Sequence, residues 1–455
     1  MKIKKETVLI SSVILATMLF SLFSCKQKEV TPFDHPAWSR NATIYEVNVR
    51  QFTPEGTFRA FEEHLPRLQQ MGVKILWLMP INPIGEENRK GTLGSYYAVK
   101  DYLEVNPAYG TKKDFRHLVE KIHELGMYVI IDWVANHTAW DNPLLVEHPE
   151  WYLKDSTGAI IPPVADWSDV AGLDYSNPAL WGYMSDALQY WVREFNIDGY
   201  RCDVAGMLPV GFWNRAVPEI KKLKPIFMLA EWETPDMHDT AFDATYSWDF
   251  YHLMNELAKE EKPLRDIDTL LKKERKSYPS HAFRMRFTSN HDENSWNGTE
   301  YERLGEAAQA FALLTFTFPG IPLIYTGQES AMNKRLSFFD KDTVPWLDYP
   351  LGPFYTRLVK LKLDHPVLDA GETGGTYQRV HSTNDSAVLA FVRKNPEEQI
   401  LVVLNLSPKE QEVGLKGKDF SGAYTEIFTQ ANVTLGKGKT LTLEPWGYRV
   451  YVISD

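Results

Sequence analysis

Four apolar segments of this 455-residue sequence each end in or beside an acidic residue. The segments VIIDWVANH, FNIDGYRCD, IFMLAEW and MRFTSNHD contain Asp132, Asp203, Glu231 and Asp292. A short apolar run that stops at a carboxylate is typical of a parallel strand buried on both faces, with its polar end opening into a site. Carboxyl groups gathered in this way can act as acid, base or nucleophile. The four endings predict one enzyme site, built at the C-terminal ends of several barrel strands.

Strand and helix signals alternate along the chain in the manner that an α/β barrel requires. Residues 138–177 are too long for a simple loop and lack periodicity. From about residue 371, short alternating runs separated by turn-like segments predict an antiparallel β-sandwich. The predicted strands are 44–49, 73–78, 128–132, 199–203, 227–231, 244–248, 284–289 and 321–325, and the clearest helices are 58–71, 112–125 and 180–195.

The motifs DWVANH, GYRCD, LAE and NHD resemble, in order, spacing and neighbours, those of the alpha-amylase superfamily of retaining glycoside hydrolases (glycoside hydrolase family 13). The resemblance extends from about Ile44 to about Gly327. It implies a (β/α)8 TIM barrel over residues 37–370, with 138–177 as a short domain B beside the cleft. It also implies that residues 371–455 are the family's C-terminal β-sandwich domain.

The resemblance assigns a role to each motif acid. Retaining hydrolysis needs two carboxyl groups about 5–5.5 Å apart, and the implied roles are Asp203 as nucleophile, Glu231 as general acid/base and Asp292 as third carboxylate. Arg201 leaves the same strand face as Asp203, so we expect its guanidinium to keep Asp203 ionised. Apolar neighbours should raise the pKa of Glu231. Asp132 is expected to anchor its strand end by pairing with Arg201 or its surroundings.

Other residues resemble those that hold the sugar or a metal in this family. Tyr97 matches the tyrosine that stacks under the sugar, although Tyr96 beside it leaves the register open. His137 and His291 match the two histidines that hydrogen-bond the same sugar. In calcium-dependent relatives the ligands match Asn136 and Asp174 here, but two oxygens fall short of the ~6–8 that calcium takes. We therefore expect chemistry that requires no cofactor, with calcium left open.

The first residues have the pattern of a targeting signal. A basic segment, KIKK, precedes an apolar stretch at 8–23 that is shorter than a membrane span of ~20 residues. The stretch ends in LFSC, which predicts a lipoprotein signal over residues 1–25, a lipid on Cys25 and a tether over 26–36. An uncleaved anchor or an ordinary secretory signal is the alternative. The expected location is the bacterial cell envelope, at the outer membrane or cell surface rather than the inner membrane.

The net charge and the cysteine content limit the binding partners and the disulfide bonds to be expected. The net charge of -11 argues against nucleic acid, because binding phosphates requires a clustered basic surface. A lipid on Cys25 would leave Cys202 without a partner, so no intrachain disulfide is expected. Strand alternation should turn Cys202 away from the site.

The expected substrates are starch-derived alpha-1,4-glucans or malto-oligosaccharides. A transglycosylase, alpha-glucosidase, trehalose-forming enzyme or cyclomaltodextrinase on the same scaffold is the first alternative, and a non-catalytic glucan-binding lipoprotein is the second. Gly206 and Met207 stand where related amylases often carry a Lys-His pair that grips the leaving-side sugar. We expect malto-oligosaccharides to be processed at least as efficiently as starch, unless Trp140, Trp167 or Trp232 replaces that grip by stacking.

Overall fold

The structure, a computed structural model, describes residues 33–453. The lipoprotein signal predicted for residues 1–25, including Cys25, lies outside the described residues, as does most of the predicted tether. Among residues 33–453, no helix has the length and apolar character needed to cross a bilayer.

Eight parallel strands close into the predicted barrel, which is confirmed. In chain order the strands up to the barrel's end are Ile44–Val47 (β1), Ile75–Leu78 (β2), Tyr128–Trp133 (β3), His137–Ala139 (β4), Val170–Gly172 (β5), Gly199–Cys202 (β6), Phe227–Ala230 (β7), Ala244–Tyr246 (β8), Phe283–Arg286 (β9) and Ile321–Tyr325 (β10). All except β4 and β5 belong to the barrel, in the order β1-β10-β9-β8-β7-β6-β3-β2. Every strand predicted from the sequence is present, and the barrel's C-terminal end gathers the four motifs at one face.

Strand alternation decides which side chains enter the barrel. On β1, Ile44 belongs to the apolar interior cluster and Glu46 shares its face two residues later. On β6, Arg201 shares its face with Asp203, which follows the strand, whereas Cys202 points outward into the shell packed by helices, as predicted. The interior is therefore apolar below and charged at its C-terminal end.

Helices follow the barrel strands and cover them. The α-helices are Val49–Phe52 (α1), Phe58–Glu62 (α2), Leu65–Met71 (α3), Lys112–Glu124 (α4), Leu144–Glu147 (α5), Pro178–Phe195 (α6), Val210–Lys221 (α7), Trp248–Ala258 (α8), Arg265–Ser277 (α9), Glu300–Leu304 (α10), Ala308–Thr317 (α11) and Gly352–Asp364 (α12). The single helix predicted over 58–71 is two helices, because Pro66 occupies the first turn of α3 and is disfavoured inside a longer helix. A capping box between Thr111 and Asp114 starts α4.

The excursion between β3 and β6 is folded rather than irregular. Its two ends pair as the antiparallel strands β4 and β5, with His137 opposite Gly172. The short helix α5 and isolated bridges such as that between Tyr152 and Leu173 complete it. This pairing fixes the excursion over one side of the barrel's C-terminal end.

The C-terminal region is an antiparallel β domain, as predicted. Its strands are Thr376–Ser382 (β11), Val388–Lys394 (β12), Gln399–Asn405 (β13), Gln411–Lys416 (β14), Gly422–Glu426 (β15), Asn432–Leu435 (β16), Thr440–Leu443 (β17) and Tyr448–Ile453 (β18). They form one sheet in the order β16-β15-β18-β13-β12-β11-β14-β17, which curls around its own apolar core. The buried Arg393 donates to the backbone oxygen of Thr317, which links this domain to α11. The predicted domain boundaries stay predictions.

Candidate active site

Arg201 lies at the centre of the charged end of the barrel and is fully buried. Its Nη1 is 2.8 Å from Asp132 Oδ1 and 3.0 Å from Asp203 Oδ1, and its Nη2 is 2.9 Å from Glu231 Oε1. Its Nε donates to the Tyr246 hydroxyl at 3.3 Å. The guanidinium therefore holds three acids that come from three different strands. The predicted pairing of Asp132 with Arg201 is present.

One guanidinium cannot neutralise three buried carboxylates, so this cluster retains protons readily. Burial raises the pKa of Asp132 and of Glu231, while Arg201 lowers both. For Glu231 the direction agrees with the prediction from its apolar neighbours. The pKa of Asp203 is also raised, first by burial and then by Glu231, and Arg201 only partly offsets this. Arg201 therefore favours the ionised form of Asp203, as expected, but burial and Glu231 oppose it with a larger combined effect on the pKa.

Val204, the residue after Asp203, has a left-handed backbone with φ 37°. This conformation is unfavourable for a β-branched residue and marks a strained position. Here it directs the Val204 N–H at Glu231 Oε2, at 2.7 Å. The backbone strain thus fixes the carboxyl group of Glu231 beside that of Asp203.

Tyr97, rather than Tyr96, faces the site. Its ring stacks on that of His291 with 5.4 Å between centroids, and its hydroxyl lies 2.8 Å from His291 Nε2. The same hydroxyl donates to Asp132 Oδ2 at 3.1 Å. Tyr96 instead accepts from Asn48 and packs against the Arg50 guanidinium. The structure thus resolves the register that the sequence left open.

His137 and Asp292 complete the ring of polar groups. Burial lowers the pKa of His137 to about 4, so its imidazole is neutral. The Asn136 amide lies 3.3 Å from His137 Nδ1 and can donate to it, which leaves Nε2 as the protonated, donating nitrogen. Asp292 is the most exposed of the site carboxylates, with 35% of its side chain accessible, and lies 3.3 Å from His291 Nε2. Of the residues predicted to bind sugar or catalyse, Tyr97, His137, Asp203, Glu231 and Asp292 line one opening. Arg201 and His291 are buried and contact the lining residues Asp203 and Asp292.

The opening is a cavity of about 430 Å³ with aromatic walls. Asp203, Glu231 and Asp292 line it together with Trp167 from domain B. Sequence reasoning missed several lining residues on loops and on the π-helical turn Glu293–Asn297, where neither periodicity nor the motifs mark them: Lys90, Asp169, Trp296, Phe338 and Phe339. Trp296 is 52% exposed and packs against Phe338, which suits a surface for stacking on a sugar ring. A larger cavity of about 700 Å³ contains none of the motif carboxylates.

Trp232 occupies the place left open by Gly206. A Cβ added to Gly206 would lie 2.0 Å from Cε2 of the Trp232 indole. The indole therefore covers the Gly206 backbone closely, on the loop that follows Asp203. Trp140 lines neither this contact nor the cavity and donates to the backbone oxygen of Ser168 instead.

Asn136 and Asp174, the proposed metal ligands, are neighbours but make an incomplete site. The backbone oxygen of Asn136 accepts from Leu173, which brings Asp174 close. Asp174 Oδ1 accepts from the Ser176 N–H at 2.9 Å. Within residues 33–453 there is no group of three or more His, Cys, Asp or Glu side chains that could hold a metal ion. These residues do not by themselves fit calcium, which takes ~6–8 oxygen ligands, and the chemistry below uses no metal.

Comparison with known families covers both domains. The family model described as the alpha amylase catalytic domain matches residues 34–157 and 147–345. The model described as the maltogenic amylase C-terminal domain matches residues 377–450. Alpha-amylase MalA of Haloarcula japonica is 30% identical over an alignment of 403 residues that covers 84% of this chain and 58% of that protein. The chain thus spans less than two thirds of that relative's length.

Solved structures agree in fold across nearly the whole chain. A maltogenic alpha-amylase, AmyB, from Thermotoga neapolitana is 32% identical with a TM-score of 0.83, covering 91% of this chain and 99% of that one. An alpha-amylase from Lactobacillus plantarum is 33% identical with a TM-score of 0.83, covering 92% and 100%. Because the catalytic-domain model matches more than half of this chain, the chain belongs to the alpha-amylase family of glycoside hydrolases.

Proposed function

We propose that this protein hydrolyses alpha-1,4-glucosidic bonds of malto-oligosaccharides and related glucans with retention of configuration. The observation that carries the proposal is the sharing of Arg201 by Asp203 and Glu231, each on a different terminal nitrogen. Two carboxyl groups held by one guanidinium suit the ~5–5.5 Å separation of a retaining pair. A water-activating inverting pair would need them farther apart.

In the first step, Asp203 attacks the anomeric carbon while the bond to the leaving oxygen breaks. Arg201 holds Asp203 Oδ1 at 3.0 Å, which leaves Oδ2 as the nucleophilic oxygen. Glu231 gives its proton to the leaving oxygen, and its raised pKa suits this role. Once Glu231 carries the proton it no longer raises the pKa of Asp203, so Arg201 then favours the ionised nucleophile.

In the second step, Glu231 takes a proton from water, and the water oxygen attacks the anomeric carbon and displaces Asp203. The product keeps the alpha configuration because two inversions occur. Asp292 and the two histidines would hold hydroxyl groups of the sugar as the ring approaches the oxocarbenium-like transition state. The aromatic walls would stack on its apolar faces.

The test is the loss of turnover in Asp203→Ala and Glu231→Gln assayed on maltohexaose. Each should lower kcat by about 10³-fold or more, because covalent and acid/base assistance are lost. Asp236→Asn, an exposed carboxylate on the same β7 loop, is the matched control and should be unaffected. Near-normal activity in either folded catalytic variant would refute the roles, and beta-anomeric early products by NMR would refute retention.

A transglycosylase on the same scaffold is the second candidate, since the site as described does not distinguish water from a sugar as acceptor. Chromatography of the products from maltoheptaose separates the two. Hydrolysis yields only shorter chains, whereas transfer also yields longer ones. A protein that binds maltoheptaose without converting it would be the non-catalytic alternative.

We also propose, from the sequence alone, that the protein is located at the bacterial cell envelope. The LFSC segment supports lipidation at Cys25, and the polar residues 26–36 would then hold the barrel away from the membrane. A glucan hydrolase in this position would meet oligosaccharides at the cell envelope.

A further inference from the structure

Glu46 lies beneath the sugar site, and its carboxylate has one contact. It is fully buried on β1, and its Oε1 is 2.5 Å from His291 Nδ1. Its other oxygen, Oε2, has no hydrogen-bond partner among the described residues. A buried carboxylate with an unpaired oxygen is costly. Its single strong contact therefore points to a role exercised through His291.

The groups around the other nitrogen of His291, Nε2, favour a proton on it. The Tyr97 hydroxyl gives its only hydrogen to Asp132, which also accepts from Arg201 and Trp77. When that hydrogen goes to Asp132, the Tyr97 oxygen accepts from His291 Nε2 at 2.8 Å. The Asp292 carboxylate, 3.3 Å from Nε2, can also only accept.

Glu46 and His291 share one proton, and His291 Nε2 keeps its hydrogen whichever of the two residues holds that proton. If Glu46 is ionised, His291 is an imidazolium and both of its nitrogens are protonated. If the proton sits on Glu46, it donates to a bare Nδ1, and the neutral imidazole still carries its hydrogen on Nε2. Only when the pair loses this proton does Nδ1–H bond to Glu46 and leave Nε2 without a hydrogen.

We propose that Glu46 is a positioning residue that keeps His291 Nε2 protonated, so that this nitrogen donates to the Tyr97 hydroxyl and holds Tyr97 and His291 in place beside the sugar site during turnover. The catalytic consequence rests on the proposed glycosidase function, whereas the position of the proton does not. Loss of Glu46 should therefore weaken turnover through His291, most strongly at alkaline pH.

Charged and titratable groups from several elements face His291 and set its titration. Burial lowers the pKa of His291, but Asp292 and Glu46 raise it to about 9, while Arg201 opposes them. Burial likewise raises the pKa of Glu46, which His291 lowers. Among the described residues, the groups that contact the imidazole or act on it electrostatically include Glu46, Tyr97, Asp132, Arg201, Glu231 and Asp292.

The first experiment reads the proton directly. The protein is labelled with ¹⁵N-histidine, and the imidazole nitrogen signals of His291 are assigned by comparison with His291→Gln. Their chemical shifts should show a protonated Nε2 from pH 5 to 8, a range about the ordinary histidine pKa. In Glu46→Gln the His291 pKa should fall by about one unit or more. Glu329→Gln is the matched control, because Glu329 is equally buried and also has one unpaired oxygen, but contacts Tyr45 and Arg67 instead. It should leave the His291 titration unchanged.

The second experiment reads turnover on maltohexaose. Glu46→Gln should lower kcat/KM at pH 8 by about tenfold more than at pH 6. In a His291→Gln background, the same substitution should lower kcat/KM by less than about a further twofold. An unchanged His291 titration in folded Glu46→Gln, or an equal loss in that background, would overturn the proposal. So would a deprotonated Nε2 at pH 6 in the unaltered protein, which needs no variant. Absence of any glucan hydrolysis would instead refute the proposed function, and the NMR result would stand.

Discussion

Gly206 allows a sharp test of how Trp232 packs on the segment that follows Asp203. An added Cβ would lie 2.0, 2.1 and 2.2 Å from three atoms of the Trp232 indole. These separations are far shorter than van der Waals contact, so Gly206→Ala must displace a rigid ring. Overpacking of this kind costs about 1–3 kcal/mol. We expect the variant to lose that much free energy of unfolding, measured by urea denaturation.

Two comparisons separate this clash from a general effect of alanine. Gly182→Ala, in α6, places its Cβ in open space, and it should stabilise the helix by about 0.5–1 kcal/mol. In a Trp232→Ala background the clash is absent, so Gly206→Ala should change stability by less than about 0.5 kcal/mol. A Gly206→Ala variant as stable as the unaltered protein would refute the packing argument. An equal loss of stability from Gly206→Ala in the Trp232→Ala background would also refute it.

The kinetic consequence depends on where the sugar lies. If Trp232 contacts the leaving-side sugar, Gly206→Ala should lower kcat/KM for maltohexaose about tenfold, as expected for the loss of an aromatic contact of about 1.5 kcal/mol. Alpha-maltosyl fluoride has no sugar on that side, so its hydrolysis should hardly change. Equal losses on both substrates would mean that the displaced indole disturbs Glu231 rather than substrate binding.

Two further predictions concern location and substrate size. Cys25→Ala should move the protein from the membrane fraction to the soluble fraction with unchanged activity, since the acyl chains would supply the anchor; an unaltered protein already found soluble would contradict lipidation. Maltohexaose should be hydrolysed with a kcat/KM at least equal to that of soluble starch, because domain B is short and Gly206 and Met207 replace a polar pair. A strong preference for the polymer would mean that Trp232 or Trp167 restores the grip.

The sequence by itself determined the barrel and the acids at its C-terminal end. Strands buried on both faces leave continuous apolar runs that can be read locally, and a carboxylate at the end of each run marks the polar end. The same local signals predicted α4 and α6. They also predicted one helix over 58–71, which Pro66 divides into two. The targeting signal predicted for residues 1–25 rests on the sequence alone and stays a prediction.

Only the tertiary structure decided which distant residues share the site. Glu46 and His291 are 245 positions apart, and neither segment indicates that the other will lie within hydrogen-bonding distance. The indole of Trp232 over Gly206 is likewise a packing result that a motif cannot state. The pKa of Asp203 shows the reason most clearly: the adjacent Arg201 can be read from the sequence, but burial cannot, and burial prevails. Desolvation depends on every element that closes over a group, so it exists only once the barrel has formed.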